Sequence, residues 1–350
     1  MSEPLELAWF AALCDDDYEL LGVPDPTRVS SFEHCSAIVH AADRAGYDAI
    51  LMPSGYALGI DTVAFTAAIA RSTTSIRPIV AVRMGEMWPP QLARQLATLD
   101  HLLDGRMVIN IISSELPGES LAGGPRYART REYMHALRTL LDGRPLHADG
   151  DWVSLDLDPP RVRTTTGTCP PLYFGGLSDE ARDVAAEAAD VYLMWPDTID
   201  GVRAIVDDMR ARAAARGRAL RFGYRVHVVV RPTEAEARAA ARHLVSALDP
   251  EVGDAIRARS LDSQSVGVRA QASLRDAADD DGFVEPHLWT GIGRARSGCG
   301  AAIVGDPQQV AAKIRQYRDL GIDTFILSGY PHLEECERFA SLVMPQLRDA

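Results

Sequence analysis

The hydrophobic pattern of the chain alternates between two periods. Short apolar runs typical of buried strands are each followed by a segment with apolar residues three and four positions apart, as on one face of a helix. The helical segment at 89–104 shows the usual signals, with Pro near its start and Gly105 at its end. Eight strand-like runs occur, at 5–13, 49–53, 75–83, 107–112, 172–174, 191–194, 222–230 and 324–327.

This alternation predicts parallel strands joined by crossover helices, because parallel neighbours need a long connection. Eight units favour a closed α/β TIM (β/α)8 barrel that forms a single domain over 1–350. The alternative is an open doubly wound sheet, but no GxGxxG motif follows the first run.

Two insertions interrupt the rhythm, near 145–171 and 249–300. The first contains DGDWVSLDLD, which alternates like a hairpin, and the second is long and polar. Such long loops are uncommon in compact domains unless they act as lids or are disordered. In a barrel we expect them above the carboxyl-terminal face, where active sites lie.

Composition restricts the class of partner. The 350 residues carry a formal net charge of −13, which disfavours nucleic acid and anionic membranes because phosphate binding depends on Lys and Arg. No apolar run approaches the ~20 residues of a membrane span. The five cysteines form no CxxC pair and the start resembles no signal peptide, which together predict a cytoplasmic protein. The nine histidines are scattered, so we expect no metal site.

The strongest local feature is Arg225-Val226-His227 within RFGYRVHVVV. Residues two apart on a strand share a face, and the neighbouring valines suit the side that packs on helices, so Arg225 and His227 should point into the barrel. A buried Arg without a partner is costly. The pair therefore joins either a structural ion network or a wet cavity that holds a ligand. We favour the ligand, since Arg and His supply charge and a proton that titrates near neutral pH.

A glycine turn joins the fifth run to a helix in LYFGGLSD. Gly175 and Gly176 let the backbone approach a ligand closely, and Ser178 or Asp179 can cap the helix, whose N-terminus attracts anions. The turn predicts a phosphate seat, although many ordinary helices begin in the same way.

Other candidate residues follow strands or lie in the second insertion. Trp195 ends the sixth run, and Tyr330 follows the last run in SGYPH. Arg294 and Arg296 lie in GIGRARSGCG, where they either close over an anionic ligand or remain in solvent. An aromatic residue at a strand end serves packing as often as ligand contact.

Several blocks of the chain resemble the bacterial luciferase-like flavin monooxygenases, and closely the FMNH2-dependent alkanesulfonate monooxygenases among them. The longest blocks are AADRAGYDAILMPSG, LARQLATLDHLLDGR, PPLYFGG, RFGYRVHVVVR and VGDPQQVAAKIRQYRDLGIDTFILSGYPHLEE. The resemblance implies a homodimer or homotetramer on a TIM barrel. It also implies a two-component system, in which an NAD(P)H-dependent flavin reductase supplies reduced FMN, and O2 reacts through a peroxyflavin. The sulfonate enzymes cleave the carbon–sulfur bond and give an aldehyde and sulfite.

The resemblance also implies roles for individual residues. Arg225 and His227 match a pair that serves the substrate anion and the oxygenated flavin, and Arg296 matches a loop arginine that closes over the site. The implied catalytic set is His227, Arg225, Tyr330, Arg296 and Trp195, and the implied FMN contacts are Asn110, Tyr127, Gly175, Gly176 and Ser178.

The chain departs from the sulfonate enzymes where the substrate pocket is expected. Cys14 stands near a family His, and Tyr56 and Leu58 replace a segment that carries a Cys. Glu86 and Trp88 replace a small polar segment. These changes predict a more apolar, aromatic pocket with an added carboxylate, which would repel a sulfonate by about 1 to 4 kcal/mol at ~4 Å. We therefore expect a specialised substrate. Two alternatives are an F420-dependent oxidoreductase on the same barrel and a non-catalytic flavin-binding protein.

Overall fold

The computed structural model describes residues 4–56, 59–258 and 265–348. The strands are β1 (Glu6–Phe10), β2 (Ala49–Met52), β3 (Arg77–Arg83), β4 (Val108–Ile112), β5 (Leu146–Asp149), β6 (Ser154–Leu157), β7 (Leu172–Phe174), β8 (Val191–Met194), β9 (Arg221–Val230), β10 (Phe283–Glu285), β11 (Leu288–Trp289), β12 (Ala302–Gly305) and β13 (Thr324–Ser328). The helices are α1 (Phe32–Ala45), α2 (Thr62–Ile69), α3 (Pro89–Leu102), α4 (Gly123–Leu141), α5 (Asp179–Ala188), α6 (Ile199–Ala214), α7 (Glu234–Leu244), α8 (Pro250–Ala258), α9 (Val266–Asp276), α10 (Pro307–Asp319), α11 (His332–Leu342) and α12 (Met344–Arg348), with a short 3-10 helix at Gly291–Arg294.

Eight strands close into a parallel barrel in the order β1-β2-β3-β4-β7-β8-β9-β13. The barrel closes because β13 pairs with β1, and β9 pairs with both β8 and β13. These strands coincide with the eight apolar runs of the sequence, so the prediction of a TIM barrel is confirmed. Crossover helices cover the outside and bury the other face of each strand.

The register of β9 explains why its polar residues lie inside. Arg225 is opposite Ile326 and His227 is opposite Ser328 on β13. The intervening valines belong to the core between strands and helices, whereas Ile326 and Phe10 belong to the cluster inside the barrel. Arg225 is 3% exposed and His227 is 0% exposed. The predicted inward orientation of both side chains is therefore confirmed.

The floor of the barrel carries charges that satisfy one another. Arg221 donates to Asp323 at 3.0 Å, and Arg77 pairs with Glu6. The Tyr173 hydroxyl donates to the same Glu6 carboxylate at 3.2 Å. This end of the barrel is thus a closed ion network, opposite the end at which the strands finish.

The two insertions differ in how well their pattern predicts their structure. The hairpin over 145–171 is confirmed as the antiparallel pair β5–β6. The segment 249–300, which we expected to be a lid-like or disordered loop, instead contains α8, α9, β10 and β11. It also leads into β12, which pairs with the far end of β9. It folds because a few dispersed apolar residues share a small core, which periodicity does not reveal: Leu274, Val284, Leu288 and Ala301.

No helix of the described residues has the length and apolar character to cross a membrane.

Candidate active site

A cleft opens at the carboxyl ends of β4, β7 and β8. It holds about 180 Å³ of open space. Small-molecule sites commonly have roughly 300–1,000 Å³, so a flavin would also extend beyond these walls. All five predicted FMN contacts and Trp195 lie in this one cleft. Its lining includes Asn110, Ser113, Tyr127, Gly175, Gly176, Ser178, Met194, Trp195, Ser265 and Gly267.

The glycine turn shapes one wall of the cleft. A Cβ on Gly175 would lie 1.8 Å from the Leu193 carbonyl oxygen, so only glycine fits between β7 and β8 at this point. Gly176 has a φ of 156°, and its carbonyl accepts a hydrogen bond from Tyr192 at 2.7 Å. Ser178 caps α5 by accepting from the Ala181 amide at 3.2 Å. The turn thus fixes the N-terminus of a helix at the wall of the cleft, as predicted.

These features fit FMN. The glycines leave a backbone surface that a Cβ would fill, and the start of α5 offers the partial positive charge that a phosphate prefers. Tyr127 and Trp195 add aromatic surface to the same walls, and Asn110 adds an amide. Among the described residues no group of His, Cys, Asp or Glu is arranged to hold a metal ion.

A second polar group lies inside the barrel mouth, and we call it the cationic cluster. Its members are Arg225, Arg296, His227 and Tyr330 with Asp16. The guanidinium of Arg225 lies over the Phe10 ring at 4.4 Å and donates to the Val226 and Ile326 carbonyls at 3.0 and 3.4 Å. Its Nη2 has no hydrogen-bond partner within residues 4–56, 59–258 and 265–348.

Arg225 has no carboxylate within ion-pair distance in the described part of the chain. The structural ion network that we considered for this residue is therefore absent, although one exists at the barrel floor. Burial is the main cause that lowers the pKa of Arg225, which records the cost of holding its charge there.

The second insertion brings Arg296 into the cluster. Its Nη1 donates to Asp16 and to the Tyr330 hydroxyl, both at 2.7 Å, and its guanidinium lies 5.3 Å from the Phe10 ring centroid. Burial opposes its charge, but Tyr330 and Asp16 outweigh this and raise the pKa of Arg296. Arg294, its neighbour in sequence, is exposed and lies outside the cluster.

His227 is neutral in this environment. Burial, followed by the charges of Arg225 and Arg296, lowers the pKa of His227 well below its ordinary value. Nδ1 is 2.7 Å from the Ser328 hydroxyl, and the ring stacks on Tyr330 with centroids 5.2 Å apart. Nε2 has no partner. The ring therefore has one fixed side and one free nitrogen.

The cluster carries more positive than negative charge. Among the described residues, Arg225 and Arg296 face a single carboxylate, Asp16; Arg225 is buried, and the Arg296 and Asp16 side chains are only 20% and 16% exposed. Coulomb attraction is several times stronger there than in water, so this region favours an additional anion. Cys14 at the rim is a thiol, because burial and then Asp16 raise its pKa to about 12.

The predicted substrate residues are less enclosed than expected. Tyr56 is 71% exposed and Trp88 is 51% exposed, and Leu58 lies outside the described residues. The Glu86 carboxylate pairs with Arg83 at 2.5 Å. Buried Arg83 at the end of β3 therefore compensates the charge of the predicted carboxylate, and the repulsion of a sulfonate by Glu86 stays a prediction.

Sequence reasoning missed several residues of the mouth. Arg83 donates to Ser114 as well as to Glu86, and Ser328 orients His227. Asp17 accepts from the backbone of His332 at 2.9 Å, and the His332 ring is 5.0 Å from that of Tyr330. The acidic run after the first strand and the histidine of SGYPH were the only signals available.

Comparison with known proteins places this site in a family. The model of the luciferase-like monooxygenases matches residues 18–324. The chain belongs to this family. Two curated relatives are named sulfoquinovose monooxygenase. That of Novosphingobium aromaticivorans is 61% identical over 98% of this chain and 96% of its own length. That of Agrobacterium fabrum is 50% identical over 98% and 90%.

Solved structures show the same fold at low sequence identity. A riboflavin lyase bound to modified FMN has a TM-score of 0.82 at 18% identity and covers 99% of this chain and 92% of its own. An EDTA monooxygenase from a Chelativorans species has a TM-score of 0.79 at 20% identity, with coverage of 99% and 94%. The prediction of a monooxygenase of the luciferase-like family is confirmed by the family and the two curated relatives.

Proposed function

We propose that this enzyme cleaves the carbon–sulfur bond of a sugar sulfonate of the sulfoquinovose type. It uses O2 and reduced FMN, which a separate NAD(P)H-dependent flavin reductase delivers to a homodimer or homotetramer. The products are an aldehyde and sulfite. The relative at 61% identity supports this substrate class over a simple alkanesulfonate.

The observation that carries the proposal is the surplus positive charge of the cationic cluster. Arg225 keeps a buried, unpartnered Nη2, and Arg296 shares one carboxylate with no second acid. A sulfonate offers three oxygens that can accept from these donors. The free energy spent on desolvating the guanidinium groups is then recovered when the anion binds.

Trp195 connects the cluster with the cleft. It lines the cleft, and a Cβ on Gly298, two residues after Arg296, would lie 3.2 Å from its ring. A Cβ on Gly267, at the start of α9, would lie 2.9 Å from the same ring. Trp195 therefore packs between the cleft and the loop that carries Arg296.

Each residue type has a definite task in this arrangement. Bound reduced FMN supplies the two electrons that activate O2. Arg225 and Arg296 bind and orient the sulfonate, and Tyr330 holds Arg296 in position. His227 is neutral and offers Nε2 to a reacting proton. Arg225, His227 and Tyr330 are buried, which limits the access of water to the reacting atoms.

The rim suits a polyol better than an alkyl chain. Arg83, Glu86 and Ser114 form a hydrogen-bonded group at the end of β3. Sugar hydroxyls can donate to the carboxylate and accept from the guanidinium. Tyr56 and Trp88 supply exposed aromatic surface for a sugar face.

The test is sulfite release with photoreduced FMN and O2. Sulfoquinovose should give sulfite at least tenfold faster, by kcat/KM, than ethanesulfonate and octanesulfonate. If none of these sulfonates yields sulfite while reduced FMN binds anaerobically, the proposed reaction is wrong.

A further inference from the structure

We propose that His34, Asp17 and His332 form a proton relay from the buried reaction site to solvent. This inference rests on the proposed function, because it concerns the proton which that reaction releases. The three residues come from the start of α1, the loop after β1 and the start of α11.

The proposed reaction must export a proton from a site whose inner residues, Arg225 and His227, are buried. Its balance is RCH2SO3⁻ + O2 + FMNH2 → RCHO + SO3²⁻ + FMN + H2O + H⁺. The carbon that loses sulfite also loses one hydrogen as a proton when it becomes the aldehyde carbon. The cationic cluster cannot retain this proton, because Arg225 and Arg296 already oppose further positive charge on the neighbouring imidazoles.

His332 is the inner end of the relay. It is 0% exposed, and its ring packs against Tyr330 at 5.0 Å and Phe10 at 5.5 Å, so it forms part of the wall of the cluster. Neither ring nitrogen has a hydrogen-bond partner among the residues that the structure describes. Burial is the main cause that lowers the pKa of His332. The negative charges of Asp17 and Asp16 act in the opposite direction. The positive charges of Arg296 and Arg225 lower this pKa further. A proton that it accepts is therefore readily passed on.

Asp17 joins the two histidines. Its Oδ1 is 3.5 Å from Nδ1 of His332, and its Oδ2 is 2.8 Å from Nε2 of His34. The first distance must shorten by a few tenths of an ångström to reach the ~2.7–3.2 Å of a hydrogen bond. Two backbone amides also donate to Oδ1, which holds the carboxylate in this position. Although burial opposes ionisation, His332 and His34 keep the pKa of Asp17 below its ordinary value.

His34 is the outer end. Its side chain retains 14% of its exposure, whereas that of Asp17 has none. His34 lies in the first turn of α1, and its ring reaches from the buried Asp17 carboxylate to the solvent-exposed surface. The proton thus passes from His332 Nδ1 to the Asp17 carboxylate, then to His34, and leaves the protein from the His34 ring.

The first test needs no flavin and no substrate. The exchange of the His332 ring N–H with water is measured by NMR on ligand-free protein labelled with 15N-histidine. His34→Gln keeps a donor to Asp17 but cannot carry a proton, so exchange should slow at least tenfold. His40→Gln is the matched control on the same helix, because the His40 ring hydrogen-bonds the Ser72 hydroxyl at 2.9 Å. Equal exchange rates in wild type and H34Q would overturn the relay.

Turnover provides the second test. In H34Q the kcat for sulfite release should fall at least tenfold at unchanged KM, and added imidazole should restore it. His34→Ala opens space at the half-buried start of α1, so imidazole should restore its turnover more fully. This second variant also keeps the test valid if H34Q does not fold. A loss that imidazole does not restore in either variant shows a structural role and overturns the relay. A wild-type enzyme that releases no sulfite refutes the proposed reaction, while the exchange measurement still decides the relay.

Discussion

The cleft and the cationic cluster lie at the same end of the barrel but are built in different ways. The cleft consists largely of backbone and small side chains, and its shape depends on glycines that no other residue can replace. The cluster consists of long charged and aromatic side chains that come from β9, the loops after β1 and β13, and the second insertion. We therefore expect the cleft to select its ligand by shape and the cationic cluster to select its ligand by charge.

The largest effect is expected at the cleft. Gly175→Ala places a Cβ 1.8 Å from the Leu193 carbonyl, and a backbone oxygen cannot move without shifting β8. We expect reduced FMN to bind at least a hundredfold more weakly and stability to fall by about 3 kcal/mol. Flavin titration measures the affinity for reduced FMN, and thermal unfolding measures the stability of the fold. Gly124→Ala, which meets no atom within 4 Å, is the control and should leave both unchanged.

Arg225→Met tests the cluster by charge. The variant removes a buried cation that has no carboxylate partner, so we expect kcat/KM for a sulfonate to fall at least tenfold while the melting temperature stays equal or rises. His227→Ala should likewise cut turnover at least tenfold with the fold intact.

Arg221→Met is the matched control, four residues earlier on the same face of β9. Arg221 pairs with Asp323 at 3.0 Å, and its side chain is 35% exposed. We expect a stability loss of about 1–2 kcal/mol, reduced by solvent screening, with unchanged kcat. If R225M lowers the stability of the fold as much as R221M does, Arg225 has a structural role. The contrast between the cationic cluster and the barrel floor would then be wrong.

The pH dependence of stability follows from His227. Its folded pKa is depressed, so below about pH 6.5, the ordinary value, the unfolded chain takes up a proton that the folded chain does not. Stability should therefore decline on acidification. Urea unfolding at about pH 7.5 and 5.5 should show that His227→Gln reduces this decline by about 1 kcal/mol. An equal decline in both proteins would show that His227 is not held neutral.

The smallest effect is expected at the rim. Glu86→Gln removes a half-exposed partner of Arg83, and such pairs contribute at most ~1 kcal/mol. Arg83 already compensates the carboxylate, so KM for sulfoquinovose should change less than about threefold. We expect this small change to be a rise, because the variant loses a contact with a sugar hydroxyl. A KM that falls tenfold would restore the view that Glu86 repels the sulfonate.

The sequence predicts the features that follow from local periodicity. Alternation in RFGYRVHVVV places Arg225 and His227 inside the barrel, and the glycine turn before Ser178 marks the start of α5. Eight apolar runs that alternate with helical segments are enough to predict the barrel.

Partners that are distant in sequence leave no such signal. Asp16 and Arg296 are 280 positions apart and meet only because the second insertion folds over β1 and β13. The compensation of Glu86 by Arg83 depends on side-chain direction at the end of β3, and the folding of 249–300 depends on a few scattered apolar contacts. These features arise from tertiary packing, which periodicity does not encode.

The most direct test of the sulfonate-binding cluster is an anaerobic binding measurement with reduced FMN present. Sulfoquinovose and 6-deoxyglucose differ by the sulfonate alone, and calorimetric titration gives their dissociation constants for wild type and R225M. The account predicts that wild type binds sulfoquinovose at least tenfold more tightly than 6-deoxyglucose, and that R225M loses most of this preference. Equal affinities in wild type, or a preference that survives in R225M, would contradict it.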